Sequence, residues 1–161
     1  TTYGSLLNSF TLHDFTLDIG LTYKLGYWFR RSSVDYTDLV MSRNGHSDFA
    51  KRWQQPGDER WTDVPSFNYT LDSARDLFYN GSSVLIEKAD HVRLQFLNLN
   101  YQLKPSRWAN LPFASMQIFC SANNLGILWR ANTQQLDPDY SWGNASLKPV
   151  TTYSLGFRAQ F

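Results

Sequence analysis

Apolar and polar positions alternate most strictly between Phe15 and Tyr27. Phe15, Leu17, Ile19, Leu21, Tyr23, Leu25 and Tyr27 share one parity; Thr16, Asp18, Gly20, Thr22, Lys24 and Gly26 share the other. A period of two puts each set on its own face of a β-strand. The run covers 13 residues, where an ordinary globular strand has about 5–6. A weaker strand precedes it, with Leu6, Asn8, Phe10 and Leu12 on one face, and Leu12-His13-Asp14-Phe15 makes a tight connection. The alternation returns in "HVRLQFLNLNYQL", with Leu97, Leu99, Tyr101 and Leu103 facing one way. Val92, Leu94 and Phe96 lie on the opposite parity, so a bulge near Phe96 or Leu97, or a strand end leaving the apolar layer, is expected. "FASMQIFCSANNL" places Met116, Ile118, Cys120 and Ala122 on one face. The last strand, "TYSLGFRAQF", sets Tyr153, Leu155, Phe157, Ala159 and Phe161 against Thr152, Ser154, Gly156, Arg158 and Gln160.

These five strands are joined by short, long, short and long connections. "KPSRWANLP" is a short polar link, whereas residues 28–90 and 126–149 form long irregular loops. In the first loop, Ser47–Gln55 and Asp72–Tyr79 read as short helices, ending before Pro56-Gly57 and at Asn80-Gly81. A connection of this length implies a functional excursion or a subdomain. Tight turns at one end and long loops at the other define an antiparallel up-and-down meander, the asymmetry of a transmembrane barrel. Five strands cannot close such a barrel. Standing alone, they would leave an apolar face and two bare edges. The expected fold is therefore all-β: an antiparallel up-and-down meander that is either part of a larger transmembrane β-barrel or a small soluble sheet. The rival is a soluble, secreted carbohydrate-binding β-sandwich, in which the apolar face of Phe15–Tyr27 packs on a second sheet.

Composition sharpens this picture. The net charge is +1 with 18% charged residues, which gives no footprint for nucleic acid. Aromatic residues reach 16%, including 6 Trp and 9 Tyr, side chains suited to sugar platforms, interfaces and membrane belts. The mean hydropathy of −0.42 argues against helical membrane spans but not against a barrel, whose strands are only half apolar. "TTYGSLLNSF" has no signal-peptide pattern and opens inside a strand, so a piece of a longer chain is expected. No catalytic constellation emerges. His13, His46 and His91 are scattered, there is no HExxH or GxSxG, and Cys120 sits on an apolar strand face. The expectation is a protein that is not an enzyme and that needs no cofactor or metal.

The ordered motifs carry more. Arg93-Leu94, then Asn124-Leu125, then Leu136-Asp137-Pro138, then Thr152 with Gly156 and Phe161 resemble the C-terminal end of the SusC/RagA-like TonB-linked outer-membrane transporters. Three details depart from that pattern. Asn100 stands where Gly usually precedes Tyr101, Asp139 replaces Glu, and "NNLGILWRAN" lacks the usual Thr-Lys-Tyr run. The resemblance implies a large transmembrane β-barrel of about 22 strands in the bacterial outer membrane, of which these would be the last five, with an amino-terminal plug. It implies as partners a SusD-like surface lipoprotein, TonB acting through a part outside this chain, the remaining strands and plug, outer-membrane lipid, and an oligosaccharide or peptide cargo.

Tyr153, Phe157 and Phe161 then read as the aromatic signal of barrel assembly, the plainer reading being an ordinary last strand. Trp53, Trp61, Trp129 and Trp142 fall in the inferred outer loops as possible ligand or lid contacts, set against simple loop packing. Asp137, Asp139 and Asn144 could gather oxygens around a cation. A local turn fixed by Pro138 is the reading preferred for them. Lys24 and Arg158 belong to the polar face, which would line a wet lumen.

Overall fold

The computed structural model describes residues 1–104, 114–140 and 148–160. The strands are β1 (Thr2–Leu12), β2 (Phe15–Leu25), β3 (Trp28–Arg30), β4 (Ile86–Lys88), β5 (His91–Leu103), β6 (Ser115–Arg130) and β7 (Thr152–Gln160). They build a five-stranded antiparallel sheet in the order β1-β2-β5-β6-β7 and a two-stranded sheet of β3 and β4. Neighbours in the large sheet are neighbours in the chain once the excursion between β2 and β5 is set aside, so the fold is the expected meander. The chain divides into two compact units: one holds the large sheet, the other is built on Trp28–Lys88.

The β1–β2 turn is as tight as its sequence suggests. Leu12 pairs with Phe15, leaving His13 and Asp14 as the turn, and His13 adopts a positive φ of 57°. Strand β2 ends at Leu25, two residues before the alternation does, because Gly26 turns the chain at φ 72°. The Asp90 carboxylate holds that corner, accepting from the Gly26 and Tyr27 amides at 2.7 and 3.3 Å.

The parity switch in β5 is a bulge at Gln95. Gly20 faces Phe96 and Leu21 faces Leu94, so β2 skips Gln95. On the other side, β6 adds residues of its own between Asn123 and Gly126. Asn124 and Gly126 there take φ values of 56° and 113°. The extra residue re-phases β5. Val92 and Leu94 return to the face of Leu97 and Leu99, while Phe96 turns to the polar face. The same break hides the rest of β6 from a reader of the sequence. The strand continues to Arg130, so the second loop starts later than residue 126 and Trp129 belongs to the sheet. The link "KPSRWANLP" lies outside the described residues from Pro105 onward.

Close approach sets three glycines. A Cβ on Gly20 would collide with the Phe96 ring, one on Gly156 with the Phe119 ring, and one on Gly4 with Tyr23. Each glycine directly faces that aromatic residue across the ladder. The ring covers the backbone that a glycine leaves bare.

The Trp28–Lys88 unit has its own small core of Val34, Tyr36, Val64, Tyr79 and Leu85, with Leu39, Phe49 and Phe67 packed against it. Helix α1 (Tyr36–Ser42) is capped by Asp35, which accepts from the Asp38 amide at 2.8 Å. Helix α2 (Ser73–Gly81) is capped by Asp72, which accepts from the Ala74 and Arg75 amides. Thus the expected second helix exists with Asp72 as its cap, while Ser47–Lys51 is a 3₁₀ turn shorter than expected.

Substituting Gly20→Val or Gly156→Leu forces these rings aside, and overpacking of this kind typically costs about 1–3 kcal/mol. Gly81→Ala, with open space around it, should be neutral or slightly stabilising. Urea midpoints of the three variants against the parent check this.

Candidate functional site

Register sorts the outward side chains of the sheet into rows. Phe15, Tyr101, Ile118 and Phe157 form one row; Leu17, Leu99, Cys120 and Leu155 the next; Ile19, Leu97, Ala122 and Tyr153 the third. Leu21 and Leu94 follow, then Tyr23, Val92 and Trp129. Phe15 and Tyr101 stack with ring centroids 4.4 Å apart. The apolar middle is therefore flanked by aromatic rows, one by the tight turn and one by the long excursions. From Phe15 to Tyr23 the strand runs about 27 Å at ~3.4 Å per residue. At a barrel tilt of roughly 40° this is about 20 Å of height, close to the apolar band of a transmembrane barrel.

No side chain in these rows is buried; Phe157 is 71% exposed. A sandwich would bury them under a second sheet, so that expectation is not met. Tyr153 and Phe157 stand on this face of β7, and Phe161 lies outside the described residues.

The opposite face is polar and cross-linked. Ser9 donates to Asp18 Oδ1 at 2.6 Å, Asn100 donates to Asp18 Oδ2 at 3.4 Å, and Gln117 donates to Asn100 at 3.2 Å. Four strands are tied by this chain of side chains. Arg158 sits opposite Gln117 at its end, and Lys24 lies on the same face of β2.

Where the loops leave the sheet, Arg93 donates to Asp137 at 2.6 Å, with side chains only 10% and 12% exposed. The first and third motifs of the sequence pattern thus meet across 44 positions. Asn132, buried, shapes the turn that delivers Asp137: it donates to the Leu136 carbonyl at 3.0 Å and accepts from the Leu136 amide at 2.8 Å. Arg130 donates to the Gln135 carbonyl, and the Ala131 amide bonds to Asp90 at 2.9 Å. His91 adds a bond through Nδ1 to the Ala89 carbonyl at 2.9 Å, with the Tyr27 hydroxyl 3.2 Å away. Among the described residues no group of three or more His, Cys, Asp or Glu is placed to hold a metal. Asn144 lies outside them.

The tryptophans do not form one set. Trp53 is half-buried and donates its indole N–H to Glu59 at 3.2 Å. Trp61 is 87% exposed beside a depression of about 330 Å³ lined by Lys51, Arg52, Gln54 and Asp58. Trp129 is not a loop residue, because the bulged strand β6 carries it into the aromatic row; Trp142 lies outside the described residues.

Asp48 organises the excursion. It accepts from Arg31 at 2.5 Å and Ser33 at 2.7 Å, and Lys51 lies 3.6 Å away. Burial opposes its charge, but the Ser33 and Arg31 hydrogen bonds and the Arg31 charge outweigh burial and hold its carboxyl below the usual range. Burial pushes the Tyr36 and Tyr79 hydroxyls up.

No family profile and no curated protein matches the chain. Solved structures do. The chain is similar to the RagAB peptide importer in its "open-open" state, with TM-score 0.65 at 21% identity over 99% of this chain and 17% of that chain. It is also similar to the RagAB peptide transporter and to the importer in its "closed-closed" state, each with TM-score 0.53 at 21% identity over 89% of this chain and 15% of theirs. At that identity the likeness is one of fold, and the chain spans less than a fifth of each relative.

Two outcomes follow from these charges. Replacing Arg93 with Ala removes a charge-assisted hydrogen bond that lies largely out of water, a loss of roughly 2 kcal/mol read as the shift of the urea midpoint. For Asp48 the folded value lies below the unfolded one. Its contribution is therefore complete above the ordinary aspartate value of about 4 and is lost as pH falls through the lower folded value. Amide exchange around Ser47–Lys51 should accelerate in that window beyond the intrinsic rate, and Asp48→Asn should abolish this pH dependence.

Proposed function

We propose that the chain is a stretch of barrel wall in a SusC/RagA-like TonB-linked outer-membrane transporter, the last five strands of about 22. The observation that carries this reading is the uncovered apolar band between aromatic rows, on a sheet whose other face is polar and hydrogen-bonded. The fold likeness to chains described as a peptide importer supports it. So does the Arg93–Asp137 pair, which gives two of the family-like motifs a common physical purpose.

In this reading the work is gated passage, not chemistry. An oligosaccharide or peptide binds outside, between the excursions and a SusD-like lipoprotein. TonB draws aside a plug contributed by another part of the protein. This stretch supplies wall, outer excursions and, through Tyr153, Phe157 and Phe161, the assembly signal. The polar ladder of Ser9, Asp18, Asn100 and Gln117 faces the wet interior, where charges such as Arg158 are tolerated.

Adjacent positions on opposite faces provide the test. An arginine facing hydrocarbon near the bilayer midplane costs about 2–4 kcal/mol, and one facing the lumen almost nothing. Leu99→Arg should therefore lower the folded, heat-modifiable protein in the outer-membrane fraction at least tenfold, while Asn98→Arg leaves it unchanged. Equal tolerance of both, with the protein recovered without detergent, would refute the proposal.

A further inference from the structure

Helices α1 and α2 spend apolar residues in two directions. Tyr36, Leu39 and Tyr79 serve the core of their unit. Val40, Met41, Leu77 and Phe78 do not; Leu77 and Phe78 are 75% and 79% exposed. Between the helices runs an open groove of about 640 Å³, whose lining includes Met41 and Leu77 together with Asp35, Asp38, Asp76 and Asn80. The hydrogen bonds that Asp35 and Asp38 receive come from neutral groups: the Asp38 amide and Asn80 for Asp35, and Asn44 for Asp38. Asp76 is buried and takes two bonds of 2.8 Å from Thr37, with Arg75 4.0 Å away. The groove is thus greasy and negative at once, and large exposed apolar side chains at its rim are not an ordinary solvated surface.

This combination selects its occupant. A wholly apolar partner would strip water from Asp35 and Asp38 and give nothing back, which is costly for charged groups. A second copy docked about a two-fold axis would bring the same carboxylates against each other. An anionic lipid surface would be repelled. Screening over about 8 Å at physiological salt means that a compensating cation must enter the groove itself. We propose that the α1–α2 groove is the docking site of a partner protein, which inserts a Lys or Arg flanked by apolar side chains. The cation lies against Asp35 and Asp38, and its apolar neighbours cover Met41 and Leu77. The inference deepens the transporter reading by assigning a partner surface. It rests on that reading only for which side of the membrane the groove faces.

Photo-crosslinking in the full-length protein, in its own cells, decides the matter. p-Benzoylphenylalanine is placed at Met41, at Leu77, or at Tyr69, which is 96% exposed and serves as the control for exposure alone. The expected result is one protein adduct from Met41 and Leu77 and not from Tyr69. Mass spectrometry should map it to a segment with Lys or Arg within two residues of an apolar side chain. Asp38→Lys should cut its yield at least tenfold and Asp38→Asn less. An adduct with lipid, a second copy, a passing peptide or another stretch of the same polypeptide would overturn the proposal. So would equal labelling from Tyr69, or a yield insensitive to Asp38→Lys while the protein still reaches the outer membrane. Disappearance of the parent protein from the outer-membrane fraction would count against the transporter reading, and the adduct would still be read on its own.

Discussion

Backbone amides in hydrocarbon have no water to bond, so a ribbon that meets lipid must satisfy its amides with neighbouring strands. In the barrel-wall reading proposed above, that constraint organises this sheet. β2, β5 and β6 are paired on both sides, β6 with β5 along its length and with β7 over Ser115–Asn123. With the backbone closed, the side chains are free to differ between faces. One face carries Leu, Ile and aromatic rows, the other Ser, Asp, Asn and Gln joined across four strands. Among the described residues, the buried apolar cluster belongs to the Trp28–Lys88 unit and not to either face of this sheet. The energy of the sheet therefore depends on what lies against it.

Departures from regularity keep that division intact. The bulge at Gln95 would be a defect in a uniform strand, but here it returns Val92 and Leu94 to the apolar face after Phe96 has crossed over. Phe96 and Phe119, apolar rings on the polar face, are accommodated because Gly20 and Gly156 leave room beneath them. At the loop end of the sheet, Asp90 binds the Gly26 corner, Arg93 pairs with Asp137, and Asn132 shapes the turn before it.

Much of the fold is legible in residue order, and the reasons differ by element. β2 and β7 announce themselves because a period of two sustained over nine or more residues is seldom produced by anything but a strand. The five strands and their short-long rhythm follow from that. Helix α1 is hard to see because seven residues hold barely two turns, and two of its apolar residues, Val40 and Met41, point away from the core. β3 and β4, three residues each, are too short for any period. The end of β6 is hidden because Asn124 and Gly126 break the alternation. By pattern alone Trp129 falls in a loop, although it stands opposite Val92. The Arg93–Asp137 contact joins residues 44 apart, and nothing local to Asp137 distinguishes an ion pair from a turn or a cation ligand. Only the presence of both motifs in the same ordered set hints that they belong together.

Cys120 offers the most direct measurement, because it sits in the middle of the apolar band between Leu99 and Leu155 and is exposed in the chain itself. Its neighbour Ser121 occupies the polar face opposite Asn98. The rate at which a water-soluble maleimide labels Cys120 in native outer-membrane vesicles, against Ser121→Cys in a Cys120→Ser background, reports what covers each face. The account predicts that Cys120 stays unlabelled until detergent is added, while position 121 reacts at once. Cys120 labelled as fast as position 121 in intact vesicles, or in protein that needs no detergent, would contradict it.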